Sequence, residues 1–211
     1  MGKLVLWILA AFGTFSVIAG AFGAIVYYGG FVDVSADTPH ETIMFKFIEE
    51  ARERSVERQA RDIMPPGDLS DPGRVVRGAG NYHAMCANCH LSPGVSNTEI
   101  RRGLYPVPPD LTKGSIEPRP SNMESARRFW VIKHGIKASA MPAWSKGGVG
   151  DVAIWDLTAF LNRLPALSRE QYQSMVAVSG GHSHEDLIEM RHDGTSPAAH
   201  VDKSGSRPHT H

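Results

Sequence analysis

The two cysteines of this 211-residue chain stand three positions apart and are followed at once by a histidine, in Cys86-Ala87-Asn88-Cys89-His90. This pattern restricts the fold more than any other in the chain. A disulfide framework needs several well-spread cysteines, and two within one turn cannot staple distant segments. A zinc site needs four ligands, and His83 and His90, on adjacent turns, would complete the pair in poor geometry. A thioredoxin-like dithiol calls for a βαβ context, which the surrounding sequence lacks. The spacing suits C-x-x-C-H haem attachment: each thiol can add to one vinyl group, and the next residue turns its imidazole toward the iron. Cys86 and Cys89 are therefore expected to carry one covalent haem c, with His90 as a fixed axial ligand. The cofactor would then supply much of the core of a small domain.

A second axial ligand should come from a loop well downstream. Met141 fills this role, in Ala140-Met141-Pro142-Ala143-Trp144, which lies between two predicted helices and 51 residues after His90. Its thioether is soft and neutral, favours ferrous iron and raises the potential relative to bis-histidine ligation. Pro142 stiffens the loop. His134, seven residues earlier, is the competing ligand, and an open sixth position is the third alternative. Iron coordination is thus assigned to His90 and Met141.

The first thirty residues carry one charged side chain, Lys3, and Leu4 to Tyr28 is an uncharged run of 25. A membrane-spanning helix needs about 20 apolar residues. Lys3 before the run and Asp33 and Asp37 after it place the N-terminus in the cytoplasm, with Tyr27 and Tyr28 at the interface. A cleaved signal peptide, with Ala19-Gly20-Ala21 as its processing site, is the alternative. Either way the rest of the chain is exported, and a bacterial cytoplasmic membrane with the haem domain in the periplasm is the expected location.

Beyond this segment, Thr38, Pro39 and Glu41 read as a capped helix start. Ile43, Met44, Phe47, Ile48 and Ala51 follow at helical spacing, and Glu50–Arg54 and Glu57–Arg61 add i,i+4 pairs. The pattern predicts an amphipathic helix to about Ile63, whose apolar half lies on the membrane or packs on the haem domain. Met64-Pro65-Pro66-Gly67 marks a boundary. Further helices are predicted from Asp71-Pro72 to about Met85, from Ser121 through Phe129, Trp130, Val131 and Ile132, and from about Asp151 to Leu164, where Pro165 stops the last. Residues 91–120 read mostly as loop, and no strand pattern is found. The tail from Ser179, with six of the ten histidines from His182 onward, has too little apolar surface to offset ordering entropy. Weak metal binding there is an open alternative.

Net charge is zero, yet residues 71–170 hold thirteen basic and eight acidic groups. Arg101, Arg102, Arg127, Arg128, Lys133, Lys137 and Lys146 could form a basic docking face for an acidic partner. No dense basic stripe with interleaved aromatics is present, so a nucleic-acid partner is not expected.

With these residues in place, the chain resembles the class I cytochrome c family over about residues 70–166. Gly78, Tyr82 and Cys86 recur at i, i+4 and i+8, like that family's first helix. The resemblance implies that the glycine lets the first and last helices cross closely, against Leu157 and Phe160. Pro109-Asp110-Leu111 is similar to the family's Pro-x-Leu segment, which implies that the Pro109 carbonyl accepts from the His90 ring and that Leu111 belongs to the haem environment. Gly135 and Met141-Pro142 complete the match. Phe129 to Trp144 looks like single-haem, membrane-tethered bacterial cytochromes, which serve as subunits or shuttles beside periplasmic dehydrogenases and oxidases.

The expectation is an all-α, class I cytochrome c fold. An anchor at 1–30 and an amphipathic helix and linker at 31–66 lead into a haem domain at 67–170 and a His-rich tail at 171–211. Function is expected to be single-electron transfer by a carrier rather than an enzyme. Its partners would be a periplasmic dehydrogenase, an oxidase or another cytochrome. A haem-based gas or redox sensor with a labile sixth ligand is the alternative. Trp130, Trp144, Trp155 and Leu111 are candidate walls of the haem pocket.

Overall fold

A computed structural model describes residues 2–31, 33–39, 41–114 and 121–182. Eight α-helices and three short 3₁₀ turns make up the described chain, with no strand among the described residues. Helix α1 (Gly2–Gly29) buries none of its residues in the protein. It is long and apolar enough to cross a membrane, which makes it a candidate anchor or signal helix.

Helix α2 (Thr42–Ala60) begins at Thr42, not at the predicted start beside Thr38. The Thr38 hydroxyl is engaged in a turn instead. Asp33 Oδ1 accepts from Ser35 N–H at 2.8 Å and Ser35 Oγ at 2.5 Å, and Ser35 Oγ lies 3.1 Å from Thr38 Oγ1. Glu41 then stands at the cap with no side-chain bond. The helix also ends before Ile63, at Ala60.

Helix α3 (Pro72–Met85) starts where the sequence predicts. Asp71 Oδ1 accepts the Arg74 N–H at 3.0 Å, with Pro72 at the first helical position, a favoured opening because proline has no amide to satisfy. Helix α7 (Asp151–Arg163) crosses α3 to form the centre of the core. The crossing is close because Gly78 has no side chain: a Cβ there would overlap the Asp156 carbonyl oxygen and Phe160 Cβ. Tyr82 and Phe160, both fully buried, meet beside it with ring centroids 5.2 Å apart. Asp156, also buried, accepts from Arg74 Nη1 at 2.9 Å and Arg77 Nε at 2.7 Å, tying the two helices together ionically.

Helix α6 (Ser121–His134) packs on α7, where Phe129 stacks on Trp155 at 4.1 Å. The second half of α2 packs on α6 through Val56, Ala60 and a Glu53–Arg127 ion pair. After α7 the chain makes a 3₁₀ turn, Leu164–Ala166, with Pro165 in its first turn.

The packed helices continue past the boundary expected at residue 170. Helix α8 (Arg169–Val178) carries a full capping box between Ser168 and Gln171. It lies against α3, with Tyr172 buried and its hydroxyl 2.9 Å from His83 Nδ1. Met175 and Val176, partly buried, pack on the core beside Tyr172, and most other residues of the helix are exposed. The His-rich tail beyond His182 lies outside the described residues.

Candidate cofactor site

The Cys86–His90 pentad hangs from the end of α3 as one more turn. Cys86 N–H donates to Tyr82 O at 2.9 Å, and His90 N–H to Cys86 O at 2.8 Å, forming the short helix α4 (Ala87–His90). Leu91 then takes φ +68° and turns the chain out of the helix. Such a conformation is costly for a branched side chain. It is held from beneath by the Tyr82 hydroxyl, which donates to Leu91 O at 2.6 Å. On the other side, Thr98 Oγ1 donates to Asn88 O and accepts the Arg101 N–H at the start of the short helix α5 (Glu99–Arg102).

The His90 ring is oriented by one bond, from Nδ1 to the Pro109 carbonyl oxygen at 2.9 Å. The carbonyl can only accept, so the proton sits on Nδ1 and the lone pair on Nε2 is left for a metal. Burial holds the His90 pKa below the ordinary histidine value against the opposing Pro109 bond, and the Arg101 charge adds to the lowering. The ring is therefore neutral at pH 7, the form that ligates iron. Arg101 also fixes the acceptor loop, since its Nε donates to Pro108 O at 3.1 Å. Asp110 caps the following 3₁₀ turn by accepting from Thr112 N–H at 3.1 Å, and Leu111 packs on the core.

Met141 reaches the same region on the loop between α6 and α7. Gly135, at φ +66°, ends α6 and lets the chain double back: a Cβ there would meet the carbonyl carbon of Pro142 at 2.6 Å and Ala143 N at 2.7 Å. The loop is closed by Ile136 N–H to Met141 O at 3.1 Å, and by Ser139, whose hydroxyl donates to Ile136 O at 2.8 Å and accepts the Met141 N–H at 3.1 Å. Ser145 Oγ anchors the far end on Lys133 O at 2.7 Å.

Cys86, Cys89, His90 and Met141 all line one cleft, with Leu104 and Trp144 among its apolar walls. Of the other candidate wall residues, Trp155 is stacked on Phe129, Trp130 lies against His134 with ring centroids 5.1 Å apart, and Leu111 sits in the core. None of the three, nor His134, lines the cleft. Burial pushes the Cys86 thiol up to about 12, with Cys89 adding to the shift. The free side chain is thus a neutral thiol rather than a thiolate. Two adjacent thiols, an imidazole with one nitrogen committed, a thioether and an apolar lining form a donor set that fits a covalently held haem.

Leu104, Pro108 and Ser139 were not singled out by the sequence reading. Ser139, two residues before Met141, was the legible one, because a serine at that offset commonly bonds the following amide in a turn. The expected basic face is only partly free. Arg127 pairs with Glu53 of α2 and Lys133 with Asp151 of α7, which commits both to holding helices together, while Arg128 pairs with Glu124 within α6 and donates to Asn162 of α7.

Residues 73–161 match the family model described as cytochrome C oxidase, cbb3-type, subunit III. Neither a curated protein nor a solved structure matches the chain.

Proposed function

We propose that this chain, which carries a c-type cytochrome domain and so transfers electrons through one haem c, does so as a membrane-tethered carrier with His90 and Met141 as axial ligands. Cys86 and Cys89 hold the group through two thioethers. When bound, haem c supplies one-electron chemistry at its iron. The protein's part is to fix the geometry and set the potential. Pro109 O orients the His90 ring and makes the imidazole more basic. The pinned loop from Gly135 to Ser145 presents Met141 without a search, so little reorganisation accompanies the change of charge. Leu104 and Trp144 keep water from one side of the cleft and lower the local dielectric, and the neutral thioether favours the reduced state.

Helix α1 is read as a retained anchor at 1–30, inserted with Lys3 in the cytoplasm and the haem domain in the periplasm. Residues 31–66 lead into that domain, which runs from 67 past 170 to include α8. Its partners are a periplasmic dehydrogenase, an oxidase or another cytochrome. It is a carrier or an electron-transfer subunit rather than an enzyme in itself.

The observation that carries this reading is the meeting of both cysteines, His90 and Met141 in one cleft, with Nδ1 of His90 already committed to Pro109. Optical spectra of the wild type and of Met141→Ala, expressed with haem-attachment machinery, test it. The wild type should show covalent haem with six-coordinate low-spin bands and a ferric methionine–iron charge-transfer band that the variant lacks. A high-spin wild type that binds carbon monoxide readily would move the assignment to a gas sensor. Absence of covalent haem would overturn it.

A further inference from the structure

Helix α2 has two faces with different fates. One is committed to the haem domain: Phe45 lies against Tyr105 with ring centroids 6.1 Å apart, Glu53 pairs with Arg127, and Val56 and Ala60 are buried. The opposite face of its first turns carries Ile43, Met44, Phe47 and Ile48, at i, i+1, i+4 and i+5. Ile43 is 86% and Phe47 69% exposed, and Met44 and Ile48 are about half exposed. Four large apolar side chains in one exposed patch are unusual for a surface facing water, and the haem domain cannot cover them because it already holds the other side.

We infer that this face of α2 lies in the lipid–water interface of the same bilayer that α1 spans, docking the haem domain on the membrane at two points rather than one. Continuity with α1 identifies the occupant. Only residues 30–41 separate the end of α1 from α2, and the turn closed by Asp33, Ser35 and Thr38 shortens that connection. Phe31 and Val34, both exposed, extend the apolar character across it. The face also changes chemistry along its length. Arg54 and Arg58 follow Phe47 at seven and eleven residues, on the same side of the helix. The gradient from buried-type side chains to arginines matches the step from acyl chains to phosphate headgroups. Because Phe45 packs beside Tyr105, next to Leu104 of the cleft wall, this docking would hold the cleft at a set distance from the bilayer.

This inference rests on α1 being the retained anchor. The test uses the full haem-loaded chain in nanodiscs, with the haem kept reduced. Cys86 and Cys89 are consumed by thioethers, so Met44→Cys, Phe47→Cys and, as a water-facing reference, Glu57→Cys can each be spin-labelled singly. Labels at 44 and 47 should collide severalfold more often with oxygen, and severalfold less often with an aqueous nickel chelate, than the label at 57. Labels at 44 and 47 as open to the nickel chelate as the one at 57 would overturn the inference. So would labels shielded from both reagents in two-copy nanodiscs but not in single-copy ones, which would assign the face to a second copy. Mass spectrometry of the mature chain keeps the two readings apart. Loss of α1 defeats the tether, whereas a retained α1 with water-exposed labels defeats only the docking of α2. Unchanged haem spectra in each variant show that the fold is intact.

Discussion

Gly78 of α3 rests directly on the main-chain carbonyl of Asp156 in α7, with no room between them for a methyl group. Neither obstacle to a Cβ, the carbonyl and Phe160 Cβ, is the loose end of a flexible side chain. Gly78→Ala must therefore push the two central helices apart. Overpacking of this kind costs about 1–3 kcal/mol. Denaturant titration of the full chain in detergent should show that loss. Gly67→Ala, at a position where a Cβ would meet nothing within 4 Å, should leave the midpoint nearly unchanged.

The same stretch of α7 turns the Asp156 side chain onto two arginines. The carboxylate is only 4% exposed, against 16% for Arg74 and 39% for Arg77. Removing the buried charge leaves Arg74, the arginine with less access to water, with Asp68 as its remaining ionic partner at 2.9 Å. Asp156→Asn should thus destabilise by about 1–3 kcal/mol, the cost of leaving a buried polar group short of a partner. Arg77→Ala leaves Asp156 still paired with Arg74 and should cost under about 1 kcal/mol. Equal losses in the two variants would show that the arginines share the charge evenly, against the order of burial seen here.

Gly135 separates placement of Met141 from attachment of the haem. A side chain at its φ of +66° is strained, and a Cβ would also strike the Pro142–Ala143 peptide. Gly135→Ala should displace the Met141 loop at a cost of about 1–3 kcal/mol, while the turn holding Cys86, Cys89 and His90 is untouched. The expected spectrum keeps the covalent haem but weakens the methionine–iron charge-transfer band. A full-strength band in that variant would remove Met141 from the sixth position or show the loop to be more pliant than its hydrogen bonds suggest.

How far such features were legible depends on whether their causes are local. The start of α3 is written in Asp71-Pro72, and its end in the attachment pentad. The approach of α3 to α7 followed from Gly78 and Tyr82 through the family resemblance, since a lone glycine says nothing about what lies against it. Thr38-Pro39 misled because Asp33 and Ser35 offered Thr38 a competing turn, a contest between polar side chains that a capping pattern does not resolve. Helix α8 escaped notice because it docks through only Tyr172, Met175 and Val176, too short an apolar pattern to stand out, although Ser168 and Gln171 spelled out its cap. The basic face shrank because Glu53, Glu124 and Asp151 reach Arg127, Arg128 and Lys133. Two of these three pairs, Glu53–Arg127 and Lys133–Asp151, join residues of different helices and leave no trace in local spacing.

The Glu53–Arg127 pair also makes the seat of α2 sensitive to acid. Burial alone would raise the Glu53 pKa, but the hydrogen bond and charge of Arg127, joined by those of Arg52, outweigh it and hold the group below its ordinary value of 4.5. A carboxylate whose pKa is lower in the folded than in the unfolded state stabilises the fold fully above the unfolded value. That contribution fades as pH falls through the folded one. With 28% and 25% of the two side chains exposed, solvent screens the pair and its worth is about 1 kcal/mol. Amide hydrogen exchange at Val56 and Ala60, corrected for the intrinsic rate, should therefore quicken by roughly fivefold below about pH 4. Glu53→Gln should exchange faster at neutral pH and lose most of that dependence. If α2 keeps the same acid response in the variant, another carboxylate governs the junction, and the helix is held on α6 by Val56 and Ala60 alone.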